Sequence, residues 1–340
     1  MLYRLLRPLL FRLDAEKAHH LGLAVARRIA GHSGLARLIH RFLAHPASHP
    51  VRVAGLDFPN PIGLAAGLDK NAEAPLAWWA FGFGFAELGT VTLRPQAGKP
   101  RPRLFRFPKM RALVNRMGFN NDGADVVAER VKQQAERGLR PPFPLGISVG
   151  KNATTPLEAA ADDYAAAAEK LAPFADFVTI NISSPNTTDL RSLQNAADLT
   201  RLLRVVRRAS GTKPVFVKLA PELDGAALTS VLDTCLEAGA AGIIATNTLA
   251  TAGRPDLPEG GLSGRPLRAL ALGRVAAVRR HVGDRVALIG CGGIDDVPSA
   301  QAMLDAGSDL IQLYSGLIYE GPFLPARLTH GLRRIAAYGS

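Results

Sequence analysis

Eight short apolar runs, each followed by a stretch that can form a helix, constrain this 340-residue chain more than any other feature. They lie near residues 61–66, 85–91, 144–150, 176–182, 214–219, 241–246, 286–291 and 309–314. Runs such as Phe177-Val178-Thr179-Ile180 are apolar without alternation, as parallel strands covered on both faces must be. Helical stretches follow them, for example residues 124–134 and the alanine-rich 155–171. Strand–helix alternation without direct repeats predicts a parallel α/β fold. A doubly wound open sheet would read similarly, and the length fits two average domains or one large barrel. Eight strands favour the closed (β/α)8 TIM barrel.

Residues 1–43 read as a separate helical extension, with residues 44–340 forming the barrel domain. Leu2, Leu5, Leu6, Leu9, Leu10 and Leu13 share one helical face, and Pro8 is expected to kink or delimit that helix. Asp14 can cap a second helix carrying Leu21, Val25 and Ile29; Ser33 can cap a third carrying Leu35, Leu38, Ile39, Phe42 and Leu43. Residues 1–45 hold eight basic side chains against Asp14 and Glu16, which is half of the chain's net charge of +12. Leucine faces flanked by arginines suit a helix lying in an anionic membrane interface, and equally a hairpin packed on the protein's own core or a partner. Residues 44–60 read as a linker and a small hairpin built on Val51–Val53 and Leu56–Phe58.

Several classes are excluded. No apolar run approaches the roughly 20 residues that span a bilayer, and no signal-peptide core opens the chain. The basic excess outside the leader forms no stripe interleaved with aromatics, so no nucleic-acid partner is expected. Cys235 and Cys291 are too few for a disulfide framework and lack metal-ligand spacing, so no metal is expected.

A barrel places its chemistry at the C-terminal strand ends, and the residues hardest to explain structurally fall there. The first strand leads to Ala65, Ala66, Gly67, Leu68, Asp69 and Lys70, the second to Thr90, the third to Asn152. The fourth ends in Asn181 and a Ser-Ser-Pro-Asn turn that holds Ser184 and Asn186. The fifth carries Lys218, the sixth Thr246, Asn247 and Thr248, the seventh Gly292 and Gly293, the eighth Tyr314 and Ser315. Glycines after the last two strands let main-chain N–H groups approach a phosphate. Lys218, in an otherwise apolar strand, needs an anionic partner. Asn115, Asn152, Asn181, Asn186 and Asn247 suit a flat ligand with carbonyl and N–H edges, although each alone is an ordinary turn residue. No nucleophile elbow or adjacent histidine accompanies Ser184, which disfavours acyl transfer and leaves proton acceptance. Two connections, 92–120 and 248–264, are long enough to be lids or binding loops.

Taken in order, these motifs resemble the membrane-associated, quinone-reducing class of dihydroorotate dehydrogenases. The resemblance is carried by Asp14-Ala-Glu-Lys-Ala-His19, Ala65-Ala-Gly-Leu-Asp-Lys70, Asn115-Arg-Met-Gly-Phe119, Asn181-Ile-Ser-Ser-Pro-Asn186, Gly261-Leu-Ser-Gly264 and Tyr314-Ser315, and it runs essentially end to end. It implies a barrel that binds FMN and oxidises dihydroorotate to orotate in pyrimidine (UMP) synthesis. By resemblance, Ser184 takes the C5 proton while a hydride passes from C6 to the flavin, and Lys218 stabilises negative charge on the flavin ring. Substrate would be held by Lys70, the segment Asn115, Arg116, Met117, Gly118 and Phe119, then Asn186, Asn247 and Thr248, with Asn181 shared between substrate and flavin. The expected FMN contacts are Ala65, Ala66, Gly67, Leu68, Asp69, Thr90, Asn152, Thr246, Gly264, Gly293, Tyr314 and Ser315. The resemblance also makes the leader a membrane-bound quinone entrance with His19 and Arg106 lining it, on the cytoplasmic face of a bacterial inner membrane, without an obligatory protein partner.

Soluble classes lack the leader and generally use cysteine where this chain has Ser184. The rival readings are a soluble FMN barrel using another oxidant, and a peripheral membrane or nucleic-acid-binding protein with a degenerate site. Two positions depart from the family pattern. Asp189 stands where glycine is usual in the loop after Asn186, and Cys291 replaces a common valine.

Overall fold

The computed structural model describes residues 2–44, 49–187 and 190–333; Asp189 lies outside them. Helices α1 (Leu2–Leu10), α2 (Ala15–Ala30) and α3 (Ser33–Ile39) come first, followed by the hairpin β1 (Val51–Val53) and β2 (Leu56–Phe58). Then come β3 (Ile62–Leu64), α4 (Pro75–Ala80), β4 (Phe85–Val91), β5 (Leu104–Phe107), β6 (Ala112–Asn115) and α5 (Ala124–Glu136). The middle of the chain gives β7 (Leu145–Val149), α6 (Ala160–Leu171), β8 (Phe177–Asn181), α7 (Ala196–Ser210), β9 (Val215–Leu219) and α8 (Gly225–Glu237). The last part holds β10 (Gly242–Ala245), β11 (Leu249–Ala250), β12 (Gly261–Gly264), α9 (Arg268–Val282), β13 (Ala287–Cys291), α10 (Val297–Asp305), β14 (Leu310–Leu313), α11 (Ser315–Glu320) and α12 (Leu324–Gly331).

Strands β3, β4, β7, β8, β9, β10, β13 and β14 pair in that order and close into a parallel barrel, so all eight apolar runs become barrel staves. The lower barrel is filled by Phe85, Phe177 and Phe216 together with Ile244, Ile289 and Leu310. Each phenylalanine faces a glycine in register on the neighbouring strand: Gly63 beside Phe85, Gly146 beside Phe177, Gly242 beside Phe216. A Cβ at any of these glycines would come within 2.1–2.2 Å of the ring, so the missing side chain is the seat for the aromatic. Phe58, from the β1–β2 hairpin, meets Phe85 edge-on at 5.3 Å and closes the N-terminal floor. The hairpin therefore belongs to the barrel's packing as well as linking it to the leader.

Side chains two residues further along these strands point the same way, one layer higher. Glu87, Thr179, Lys218 and Gln312 occupy that layer, every one of them buried. Above it the barrel opens. The two long connections do not remain featureless loops: β5 and β6 from the first join β11 and β12 from the second in a four-stranded antiparallel sheet across the mouth, with Asn115 opposite Gly261.

The leader folds as three helices, with two departures from the expected boundaries. Helix α1 continues through Pro8. Its lost main-chain bond is offset by side-chain ties to α11, with Tyr3 Oη donating to Ile318 O at 2.5 Å and Arg7 Nη1 to Tyr319 O at 2.8 Å. Asp14 caps α2, accepting from the N–H groups of Glu16 and Lys17 at 3.0 Å each. Ser33 instead begins α3, with His32 at the cap and no side-chain capping bond. Helix α6 starts at Ala160 rather than near 155, because Pro156 follows a turn in which Thr155 Oγ1 donates to Asp163 at 2.8 Å. Among the described residues, ten of the twelve exposed large hydrophobic side chains lie in the leader, among them Leu5, Leu9, Val25, Leu38, Phe42 and Leu43, while Leu23, Ile29 and Ile39 pack against the barrel's core. Among the described residues no helix is long and apolar enough to cross a membrane.

Replacing Gly63 by alanine should force its Cβ into the Phe85 ring and lower stability by about 1–3 kcal/mol, the usual range for overpacking. Urea unfolding of the purified variant measures it, and an unchanged midpoint would show that the ring is not seated there.

Candidate active site

A cavity of about 970 Å³, including its open mouth, lies at the C-terminal ends of the barrel strands. Its lining brings together Ala65, Ala66, Gly67 and Lys70 from the first strand end, and Thr90 from the second. Asn181, Ser184 and Asn186 follow the fourth; Lys218, Thr246, Asn247 and Thr248 come from the fifth and sixth. Gly293, Tyr314 and Ser315 close it from the last two, and the sheet across the mouth contributes Asn115, Met117, Gly118, Phe119 and Gly264.

The amides are organised rather than scattered. Asn181 Nδ2 donates to Thr90 Oγ1 at 2.9 Å, and its Oδ1 accepts from Ser183 Oγ at 3.1 Å and from Asn247 Nδ2 at 3.3 Å. Asn186 Nδ2 donates to Asn115 Oδ1 at 3.1 Å, joining the fourth strand end to the mouth sheet. Buried Tyr164 fixes the strand end from behind by donating to Asn181 O at 2.7 Å. Ser184, 6% exposed, accepts from the N–H of Asn186 at 3.2 Å. A donor aimed at a hydroxyl oxygen favours negative charge on it. Among the described residues no side-chain base hydrogen-bonds to Ser184.

At the opposite wall the backbone is opened by glycine. Gly264 and Gly293 have φ of 92° and 71°, and a Cβ on either would meet main-chain atoms of Arg111 or Arg268 within 3 Å. Ser315 and Gly316 begin α11, where N–H groups lack intrahelical acceptors, and Ser315 Oγ lies 2.7 Å from Ser263 Oγ.

Six of the residues expected to contact FMN, substrate or quinone lie outside this lining. Asp69 is fully buried and accepts from the N–H groups of Glu73 and Ala74 and from Trp78 Nε1, which anchors the turn into α4; Leu68 packs in the core beside it. Asn152 is consumed by structure: its Nδ2 donates to Thr92 Oγ1, Arg94 O and Gln96 Oε1, and its Oδ1 accepts from Arg94 N. Arg116 points outward and donates to Pro102 O. Arg106 lies against the leader, 4.7 Å above the Phe11 ring and donating to Leu10 O and Leu13 O. His19, on α2, is close enough to Lys70 for that charge to act on it. Burial first, then Lys70 and His20, push its pKa down to about 3, so it is neutral near pH 7.

Burial and the nearby Arg103 bring Lys70 down to about 8, still protonated at neutral pH, with its Nζ donating to Gly67 O at 2.9 Å. Leader and site are tied together by Glu16. Its carboxylate, nearly buried, pairs with Arg103 at 2.8 Å and Arg101 at 3.1 Å, while Arg103 donates to Ala97 O and Lys99 O of the first long connection. Sequence reasoning missed Glu16 as well as Glu87, Gln312, Ser263 and Arg191. Arg191 links two strand ends, donating to Ser183 O at 3.1 Å while pairing with Glu222 at 2.9 Å. Glu87 and Gln312 could have been found by the signal that marked Lys218, a polar residue inside an apolar run.

A closed parallel barrel whose mouth offers a glycine-opened wall, a buried ammonium and a ring of amides defines an enzyme for a flat, anion-bearing ligand. The sequence profile of dihydroorotate dehydrogenase matches residues 49–336. The chain is 46% identical to the dihydroorotate dehydrogenase (quinone) of Chloroflexus aurantiacus, over 96% of this chain and 94% of that protein. It is likewise 46% identical to the protein of that name from Paraburkholderia phymatum, over 99% of each. Among solved structures, dihydroorotate dehydrogenase from Eimeria tenella in complex with ferulenol superposes with a TM-score of 0.83 at 34% identity, covering 94% of this chain and 90% of that one. The chain belongs to the dihydroorotate dehydrogenase family. That family uses a flavin, and the residues present fit one: backbone opened by glycine for an anionic end, and Lys218 with Asn181 and Thr246 for a ring that carries carbonyl and N–H edges. Among the described residues no cluster of metal ligands is present.

The Glu16 tie makes a measurable prediction. Its arginine partners hold the carboxyl near 2 against burial, below the model-compound 4.5, so the tie stabilises the fold above the unfolded value and is lost as pH falls toward about 2. Glu16→Gln should cost about 3 kcal/mol at neutral pH by leaving Arg103 unpaired. Unfolding curves of variant and wild type should converge as the pH is lowered below 4.5, and a pH-independent gap would refute the pairing.

Proposed function

We propose that this protein oxidises dihydroorotate to orotate in pyrimidine biosynthesis, with FMN as its resident flavin and a membrane quinone as the terminal electron acceptor. The observation that carries the reading is that Ser184, Lys218, Lys70 and four asparagines from separate strand ends and the mouth sheet all open onto one cavity. Bound FMN supplies a two-electron acceptor. Ser184 removes the C5 proton of the substrate, helped by the Asn186 N–H at its oxygen. Lys70, protonated at neutral pH, pairs with the substrate carboxylate, and Asn115, Asn186 and Asn247 hold the ring amides in the geometry their mutual hydrogen bonds pre-set. Lys218 presents positive charge to the flavin ring, and Gly264, Gly293 and Ser315 receive the phosphate.

Residues 1–43 form a membrane and quinone-access unit, and residues 44–340 the catalytic domain. The exposed leucines and arginines of the leader support attachment to an anionic leaflet, and in this reading the protein is a peripheral component of the cytoplasmic face of a bacterial inner membrane. Neutral His19, on α2 of the leader and within the influence of Lys70, lines the approach of an uncharged quinone head in this reading. No nucleic-acid or obligatory protein partner enters this scheme.

Ser184→Ala should lower dihydroorotate turnover at least about a hundredfold, the scale of a lost general base, while the protein stays yellow. Turnover near wild type would remove Ser184 from the role. Steady-state assays should show a soluble quinone analogue outperforming fumarate and NAD, with preference for either of the latter pointing to a different oxidant class. Deleting residues 1–43 should impair quinone reduction and sedimentation with anionic vesicles far more than flavin content; unchanged quinone kinetics would overturn the role of the leader.

A further inference from the structure

The polar layer between the phenylalanine floor and the cavity contains a charged pair that crosses the barrel. Glu87 on β4 and Lys218 on β9 are separated by two strands, yet Glu87 Oε2 lies 3.6 Å from Lys218 Nζ. The same oxygen accepts from Gln312 Nε2, on β14, at 2.6 Å. All three side chains are buried, at 0%, 4% and 1% exposure. Glu87 Oε1, Gln312 Oε1 and Thr179 Oγ1 account for three of the five buried side-chain atoms that have no hydrogen-bond partner among the described residues. Such a concentration of unsatisfied polar atoms in one layer is costly to the fold and points to a function there.

A buried ammonium in this position is costly to the fold unless a counter-charge meets it. Its neighbours supply one anion. From β8 it is flanked by Asn181 and from β10 by Ile244, both neutral; β14 presents the Gln312 amide. Cys291, on β13, also feels Lys218, but burial raises its thiol pKa and keeps it uncharged near neutrality. Glu87 remains as the counter-charge, and Gln312 fixes the orientation of its carboxylate.

We propose that Glu87 is the positioning residue that pairs with the Lys218 ammonium and aims it into the cavity, so that the charge offered to the flavin ring is set by a carboxylate one layer below it. This inference rests on the flavin lying against Lys218, as proposed above. In the pair, the carboxylate and the ammonium cancel at long range while only the ammonium reaches the cavity lining.

The test uses the full-length, FMN-loaded protein and reads the visible absorption of the oxidised flavin against pH, in wild type, Glu87→Gln, Lys218→Met and the double variant. Glu87→Gln, which leaves a buried ammonium without its counter-charge, should show a reversible pH-dependent transition that wild type lacks. Adding Lys218→Met should abolish that transition. Glu87→Gln alone should weaken flavin retention tenfold or more and lower thermal stability below that of the double variant, since breaking a buried pair is worse than removing it whole. If Glu87→Gln yields no folded protein, recovery of folded, yellow double variant carries the same conclusion. A Glu87→Gln flavin that titrates like wild type overturns the proposal, as does a double variant that folds no better than Glu87→Gln. A wild-type protein that cannot be loaded with FMN would instead sink the flavin reading itself.

Discussion

Three phenylalanine rings, each laid over a glycine of the adjoining strand, fill the lower half of the barrel and set the height of everything above them. Because Phe85, Phe177 and Phe216 take up that space, the next inward positions on their strands fall at one level, where Glu87, Thr179 and Lys218 meet Gln312. The step after that reaches the strand ends and the amides. The site is thus the third storey of a packed column, and its depth is determined by aromatic volume rather than by loop length.

The architecture was legible because parallel strands covered on both faces must be continuously apolar, and all eight such runs became barrel strands. Most of the cavity lining was legible too, since polar residues at strand ends have few structural excuses. Where reading failed, a local rule was overridden by a partner distant in sequence. Pro8 did not end α1, because Tyr3 and Arg7 are held by main-chain carbonyls of α11. Asp69 and Asn152 stand at strand ends, and their side chains hydrogen-bond to Trp78 and the 92–96 segment outside the cavity lining. The sheet across the mouth was invisible because its strands are two to four residues long and pair between two separate connections.

The leader is joined to the barrel by polar ties and by Leu23, Ile29 and Ile39, which pack against its core, while Leu5, Leu9, Leu38, Phe42 and Leu43 face outward. Tyr3, Arg4 and Arg7 reach α11, and Glu16 reaches the arginines of the first long connection. Such a division leaves the apolar surface available to a second phase without loosening the hold on the domain. The same connection carries Asn115 and Phe119 to the cavity, so the segment gripped by the leader is also one that lines the cavity.

The mouth sheet has a mechanical corollary. Strand β6, which ends in Asn115, and strand β12, which ends in Gly264, are laced by main-chain hydrogen bonds, and Gly264 lies on the wall opened by glycine. Neither connection can swing aside alone without breaking that ladder. The two connections, one lining the cavity with Asn115 and the other with Gly264, are therefore coupled, and the roof over the cavity shifts as a single plate.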